Sequence, residues 1–157
     1  MAIGLGVPRE TIRVVFNRQT EQTLVQNQAG TVDHQPALSN FADTVLEKHS
    51  ELCGYIVMKD SPSCGMERVK RFNEKGNLQD NRGKGAFTER LIEACPWLPV
   101  EESGRLNDPN LRENFILRVI ALHDYKHNVE HNLSAKSLID YHARYKYILM
   151  AHSQVTY

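Results

Sequence analysis

Apolar and polar positions change rhythm several times along this chain, and each change marks an element. Thr11 to Phe16 and Gln22 to Gln26 read as short strands that a turn near Asn17-Arg18 can pair, and Asn27 to Gly30 reads as a turn. From Pro36 to Leu52 the apolar residues Leu38, Phe41, Ala42, Val45, Leu46 and Leu52 recur at helical spacing. An amphipathic helix is expected there, with Pro36 in its first turn and His49 as a partly buried packing residue. Gly54 to Met58 is a run of apolar, aromatic and β-branched residues, the composition of a buried strand. Strand, helix and strand in this order predict a βαβ unit with parallel strands.

From Glu67 to Arg90 the chain turns polar and basic. Asn73 to Gly85 has three glycines and no regular period, so a long loop is expected. It is either an ordinary solvated loop or a lid that contacts anions. Gly85 to Cys95 then reads as a helix, with Phe87, Leu91 and Cys95 on its apolar face, which makes Cys95 a packing residue. Pro96 ends it, and Trp97-Leu98-Pro99-Val100 reads as a short edge strand. Glu101-Glu102-Ser103-Gly104 looks like a boundary. Beyond it Asp108-Pro109 starts a helix that runs to about His127, and Ser134 caps a last helix through Met150. The expected fold class is α/β, a small and mainly parallel sheet with flanking helices, followed by a helical segment. The expected units are residues 1–103 and 104–157.

Composition narrows the function classes. At 157 residues the chain suits one domain, or a small domain and part of another, and 41% hydrophobic content suffices for a core. No run approaches the ~20 apolar residues of a membrane helix, and no charged-then-apolar leader marks secretion. Nineteen basic and nineteen acidic residues cancel, so neither nucleic acid nor membrane is an expected partner. Three cysteines without framework spacing fit a reducing compartment, and the expected location is cytoplasmic.

The candidate chemistry gathers just after the Gly54 strand. Lys59 and Asp60 end it in charge, and Ser61-Pro62-Ser63-Cys64-Gly65 breaks it. Pro62 removes a backbone donor, and Gly65 permits a sharp turn or a close approach. A thiol is thereby held on a short polar loop at a strand end, where ligands bind in open α/β sheets. Most free cysteines are small buried hydrophobes; two hydroxyls, and Arg68, Lys70 and Arg71 close by, make Cys64 the candidate for a functional one. Asp60 is either an acid–base group beside Cys64 or a strand terminator, and Arg9 and Arg13 either supply positive charge near this edge or sit on the surface. Cys53 cannot share a centre with Cys64, because six extended steps to Lys59 span roughly 20 Å. His123, His127 and His131 lie four residues apart, a spacing that could place imidazoles on one helix face. The zinc signature's glutamate does not follow His123, and a wet helix end is the plainer reading.

Ser61-Pro-Ser-Cys-Gly65 after a strand, together with Gly4-Leu-Gly-Val-Pro-Arg9, resembles the bacterial thiouracil desulfidase family. Arg105-Leu-Asn-Asp-Pro-Asn-Leu-Arg-Glu-Asn-Phe115 and Tyr141-His-Ala-Arg-Tyr-Lys-Tyr-Ile-Leu-Met-Ala-His-Ser153 resemble the helical YbgA-like domain. Tyr145 stands where that family favours histidine. The resemblance implies a [4Fe–4S] cluster held by three cysteines, with Cys64 one ligand. It also implies a thiolated pyrimidine or similar thioamide as substrate, Asp60 and Ser63 as catalytic candidates around the cluster, and Arg9 as a substrate contact. In that family Gly4 to Arg9 would lie shortly after a second ligand, in a Cys-Pro-Glu motif. The chain is therefore expected to be the C-terminal part of a desulfidase-like domain joined to the start of a YbgA-like one. Such a fragment would bind no cluster by itself, be inactive alone, and self-associate through an exposed edge. The alternatives are a helical interaction or scaffold protein and a basic-loop nucleic-acid binder.

Overall fold

The computed structural model describes residues 3, 4, 6, 8 and 10–152. Strands β1 (Ile12–Asn17) and β2 (Gln22–Asn27) form an antiparallel hairpin, with Val14 opposite Val25. Asn27 closes the turn that follows, its Oδ1 accepting from the amides of Thr31 at 2.9 Å and Val32 at 3.2 Å. Helix α1 (Gln35–Lys48) comes next, with Pro36 in its first turn. Leu38 and Ala42 are buried on its inner face, and Phe41 packs at a tilt against Phe87 of helix α2 (Ala86–Ala94) with ring centroids 5.4 Å apart. α1 ends at Lys48, four residues sooner than its pattern predicts. His49 is its exposed C-cap rather than a packing residue, its N–H bonded to the Val45 carbonyl at 3.0 Å.

The α/β class holds, but the expectation of a mainly parallel sheet does not. β4 (Val69–Phe72) and β5 (Leu78–Gly83) complete a four-stranded sheet in the order β2-β1-β4-β5. Its central pairing, β1 with β4, is parallel, and the outer two are antiparallel. β3 (Tyr55–Val57) does not join it. Instead β3 pairs in parallel with β6 (Val100–Glu102) in a separate two-stranded sheet, so the expected β2–α1–β3 unit does not exist within one sheet. β5, paired with β4, also replaces part of the loop expected over Asn73 to Gly85. Arg71 and Asp80 pair across the two strands, Nε to Oδ1 and Nη2 to Oδ2, both at 2.7 Å. The Arg71 guanidinium also lies 4.3 Å from the Phe16 ring centroid.

Val14, Val25, Leu38, Ala42, Val57, Val69, Phe87, Leu91, Leu98 and Val100 make one core joining both sheets to α1 and α2. Glu101 and Glu102 are both buried in β6. A 3₁₀ turn (Arg105–Asn107) leads into α3 (Pro109–Asn128). As its sequence predicts, Asp108 caps α3, accepting from Asn110 N at 2.8 Å and Leu111 N at 3.1 Å. A second 3₁₀ turn (Glu130–Asn132) precedes α4 (Ala135–His152), which Ser134 caps through Ser137 N at 3.1 Å. No helix among the described residues is long and apolar enough to cross a membrane.

Candidate functional site: the Cys64 loop

The loop between β3 and β4 folds back on itself and docks on the N-terminal end of α2. The Gly65 amide donates to the Ser61 carbonyl at 2.8 Å, and the Cys64 amide to Ser61 Oγ at 3.3 Å. Ser61 Oγ and Ser63 Oγ are 2.9 Å apart and share a hydrogen bond. Two polar side chains and two backbone amides thus organise a five-residue turn around the thiol.

α2 has no side-chain cap at its start, where helix amides lack partners of their own. Loop carbonyls fill that role. Phe87 N–H donates to Ser63 O at 2.9 Å, Gly85 N–H to Gly65 O at 2.8 Å, and the fully buried Thr88 Oγ1 to Cys64 O at 2.8 Å. Behind the loop, Glu102 Oε1 accepts from Met66 N at 3.2 Å. The Cys64 thiol itself is half-buried against the core. Tyr55, whose ring sits 5.4 Å from that of Phe87, is its near neighbour. Burial, and then the electrostatic influence of Cys64, push the Tyr55 phenol above its ordinary value.

Of the residues singled out in the sequence, the structure gathers Ser61, Ser63 and Cys64 on this one turn. Asp60 lies at its start, exposed, in the left-handed region at φ 58°, 3.8 Å from the Lys59 ammonium. Arg9 lies outside the described residues. Arg13 is on β1 with its buried Nε unpartnered. Glu102, Thr88 and Tyr55 were not legible as parts of this site: each takes its place through a partner remote in the chain.

The other two thiols stand elsewhere. Cys53 precedes β3, its Sγ 3.2 Å from the Glu51 carbonyl. Cys95 caps the opposite end of α2 from the Cys64 loop, a helix length of roughly 13 Å away. Burial pushes the Cys95 thiol up, a shift that the Lys126 ammonium and the Leu98 N–H partly offset. His123 and His127 stack on α3 with centroids 4.1 Å apart, while His131 falls in the 3₁₀ turn after the helix has ended. Among the described residues no three His, Cys, Asp or Glu side chains form a group able to hold a metal ion. A separate, more apolar groove lies between Trp97, Pro99, Leu122, Tyr125 and Tyr141, and none of its lining residues belongs to the Cys64 loop.

Comparison with known proteins bears on both halves of the chain. Over 52 residues it is 38% identical to an uncharacterised protein, YbgA of Escherichia coli (strain K12), an alignment covering 33% of this chain and 31% of that protein. The chain thus matches about a third of that relative's length. The fold resembles that of the [4Fe-4S]-dependent thiouracil desulfidase TudS, with a TM-score of 0.51 and 22% identity, over 74% of this chain and 70% of the other. The family model of 2-thiouracil desulfurase matches residues 1–103, a span that takes in both sheets, α1, α2 and the whole Cys64 loop. The chain therefore belongs to the 2-thiouracil desulfurase family.

Proposed function

We propose that this is a desulfidase-like protein acting on a thiolated pyrimidine or similar thioamide, with Cys64 as one thiolate of its iron–sulfur site. The observation that carries this reading is the Cys64 turn: a half-buried thiol flanked by two hydroxyls, pinned to a helix start within the family-matched residues. The net reaction exchanges sulfur for oxygen, C=S and water giving C=O and hydrogen sulfide, with no net oxidation. Ser63, with its hydroxyl bonded to Ser61, suits holding or passing a proton at the departing sulfur. Asp60, on the solvent side, suits accepting the proton of the attacking water.

The thiols of this chain do not fit a cluster by themselves. Three thiolates must converge on one [4Fe–4S] centre when one iron is left open. Cys53 and Cys95 stand on other elements, so the further ligands come from outside this set of cysteines, and the chain alone is inactive. Residues 104–157 belong to a YbgA-like helical unit on this reading. A purely structural scaffold would have no use for the Cys64 turn.

Anaerobic reconstitution with iron and sulfide tests the assignment. The chain should retain less than one cluster per monomer, lost in Cys64→Ser and unchanged in Cys53→Ser and Cys95→Ser. Retention that survives Cys64→Ser overturns the ligand assignment. About four irons per monomeric chain, with sulfide released from 2-thiouracil, overturns the need for outside ligands.

A further inference from the structure

The element that carries Cys64 is gripped at both ends by the helical segment. At its entry, Lys126 Nζ of α3 donates to the carbonyls of Ser50 at 2.5 Å and Leu52 at 3.1 Å. Val119 and Phe115 of α3 lie so close to Gly54 that a Cβ there would meet them at 2.6 and 3.3 Å. At its exit, Arg105 Nη1 donates to Glu67 Oε1 at 2.6 Å, three residues beyond Cys64. Arg105 Nε donates to Glu101 Oε1 at 2.8 Å, and that oxygen also accepts the Glu102 amide at 2.9 Å. Glu102, 1% exposed, closes the ring by accepting from Met66 N.

An exposed ion pair adds little to stability. Arg105 differs because it bridges two carboxylates, one of them on the 11% exposed Glu101 side chain. Both carboxylates belong to elements that flank Met66. Its loss would release the chain next to Cys64 while leaving the core around Val14 and Leu91 in place.

We infer that Arg105 is a positioning residue for the Cys64 thiol, clamping the loop through Glu67 and Glu101 so that the helical segment sets where the sulfur stands. The use of that sulfur rests on the function proposed above, but the clamp does not, and it is read on the thiol directly.

The test is brief alkylation of the full chain with iodoacetamide, mass mapping of Cys53, Cys64 and Cys95, and thermal unfolding of the same samples. Arg105→Gln should speed modification of Cys64 about three- to tenfold by local opening, and that of Cys95 less than about twofold. Glu67→Gln should act in the same direction, and Arg105→Lys, which keeps one charged hydrogen bond, should return Cys64 to within about twofold of the parent. Equal acceleration at Cys64 and Cys95 would mean general loosening and overturns the clamp. So does an unchanged Cys64 rate, or loss of cooperative unfolding in both Gln variants. The alkylation needs neither cluster nor substrate, so its failure and failure of the desulfidase reading are distinguishable.

Discussion

Gly85 lies against Cys64 so closely that a Cβ on it would fall within 3.0 Å of the backbone of Ser63, Cys64 and Gly65. Its own conformation, φ −77° and ψ 134°, is open to any residue. Glycine is needed there for the approach of two backbones, not for its torsional freedom. Gly85→Ala should lower stability by about 1–3 kcal/mol in urea unfolding, because backbone cannot yield as a side-chain tip can. Gly104→Ala meets nothing within 4 Å and should stay within about 0.5 kcal/mol of the parent. Equal effects at the two sites would refute the close approach.

The Arg71–Asp80 pair makes a second prediction. The Arg71 hydrogen bond, opposed by burial, holds the Asp80 carboxyl down at about 2. A carboxyl depressed on folding adds stability above its unfolded value, and that stability is lost as pH falls from the ordinary carboxylate range through about 2. With both side chains partly solvated, the contribution at neutral pH is on the order of 1 kcal/mol after screening. Asp80→Asn should cost about that at pH 7 and almost nothing at pH 2. A difference that persists at pH 2 would assign the loss to packing.

The three thiols should differ in rate. Burial pushes the Cys95 thiol up, so at pH 8 it should be alkylated slowest, with Cys64 fastest on its polar turn. Lys126→Met should slow Cys95 further, since the ammonium favours its thiolate. Mass mapping against pH decides the order; Cys95 reacting first would count against its packing role.

Most helices and the first hairpin were legible because local rules govern them: the spacing of Leu38 and Ala42, the Asp108 and Ser134 caps, the Asn27 turn. β5 was not. Its sequence, Leu-Gln-Asp-Asn-Arg-Gly, offers no alternation, and the Arg71–Asp80 pair and its ladder to β4 hold it instead. The burial of Glu101 and Glu102 was not legible for a similar reason, since Arg105 and the remote Met66 N meet their carboxylates. Which sheet β3 joins depends on Val100 pairing with Tyr55, forty-five residues away, and no local pattern carries that. The Cys64 turn was legible in its own five residues. Its supports, Thr88 and Glu102, were not.

Thr88 provides the last prediction, because its hydroxyl separates shape from hydrogen bonding. The side chain is 0% exposed, and its Oγ1 donates to the Cys64 carbonyl at 2.8 Å. Thr88→Val keeps the volume and removes the donor, leaving a carbonyl of the thiol-bearing residue short of its partner. That should cost about 1–2 kcal/mol and speed alkylation of Cys64 more than that of Cys95. Thr88→Ser removes only the methyl group, so it should retain the parent Cys64 rate even where packing loss lowers the melting temperature. If Thr88→Ser releases Cys64 as far as Thr88→Val does, the methyl packing holds the turn and the hydroxyl does not.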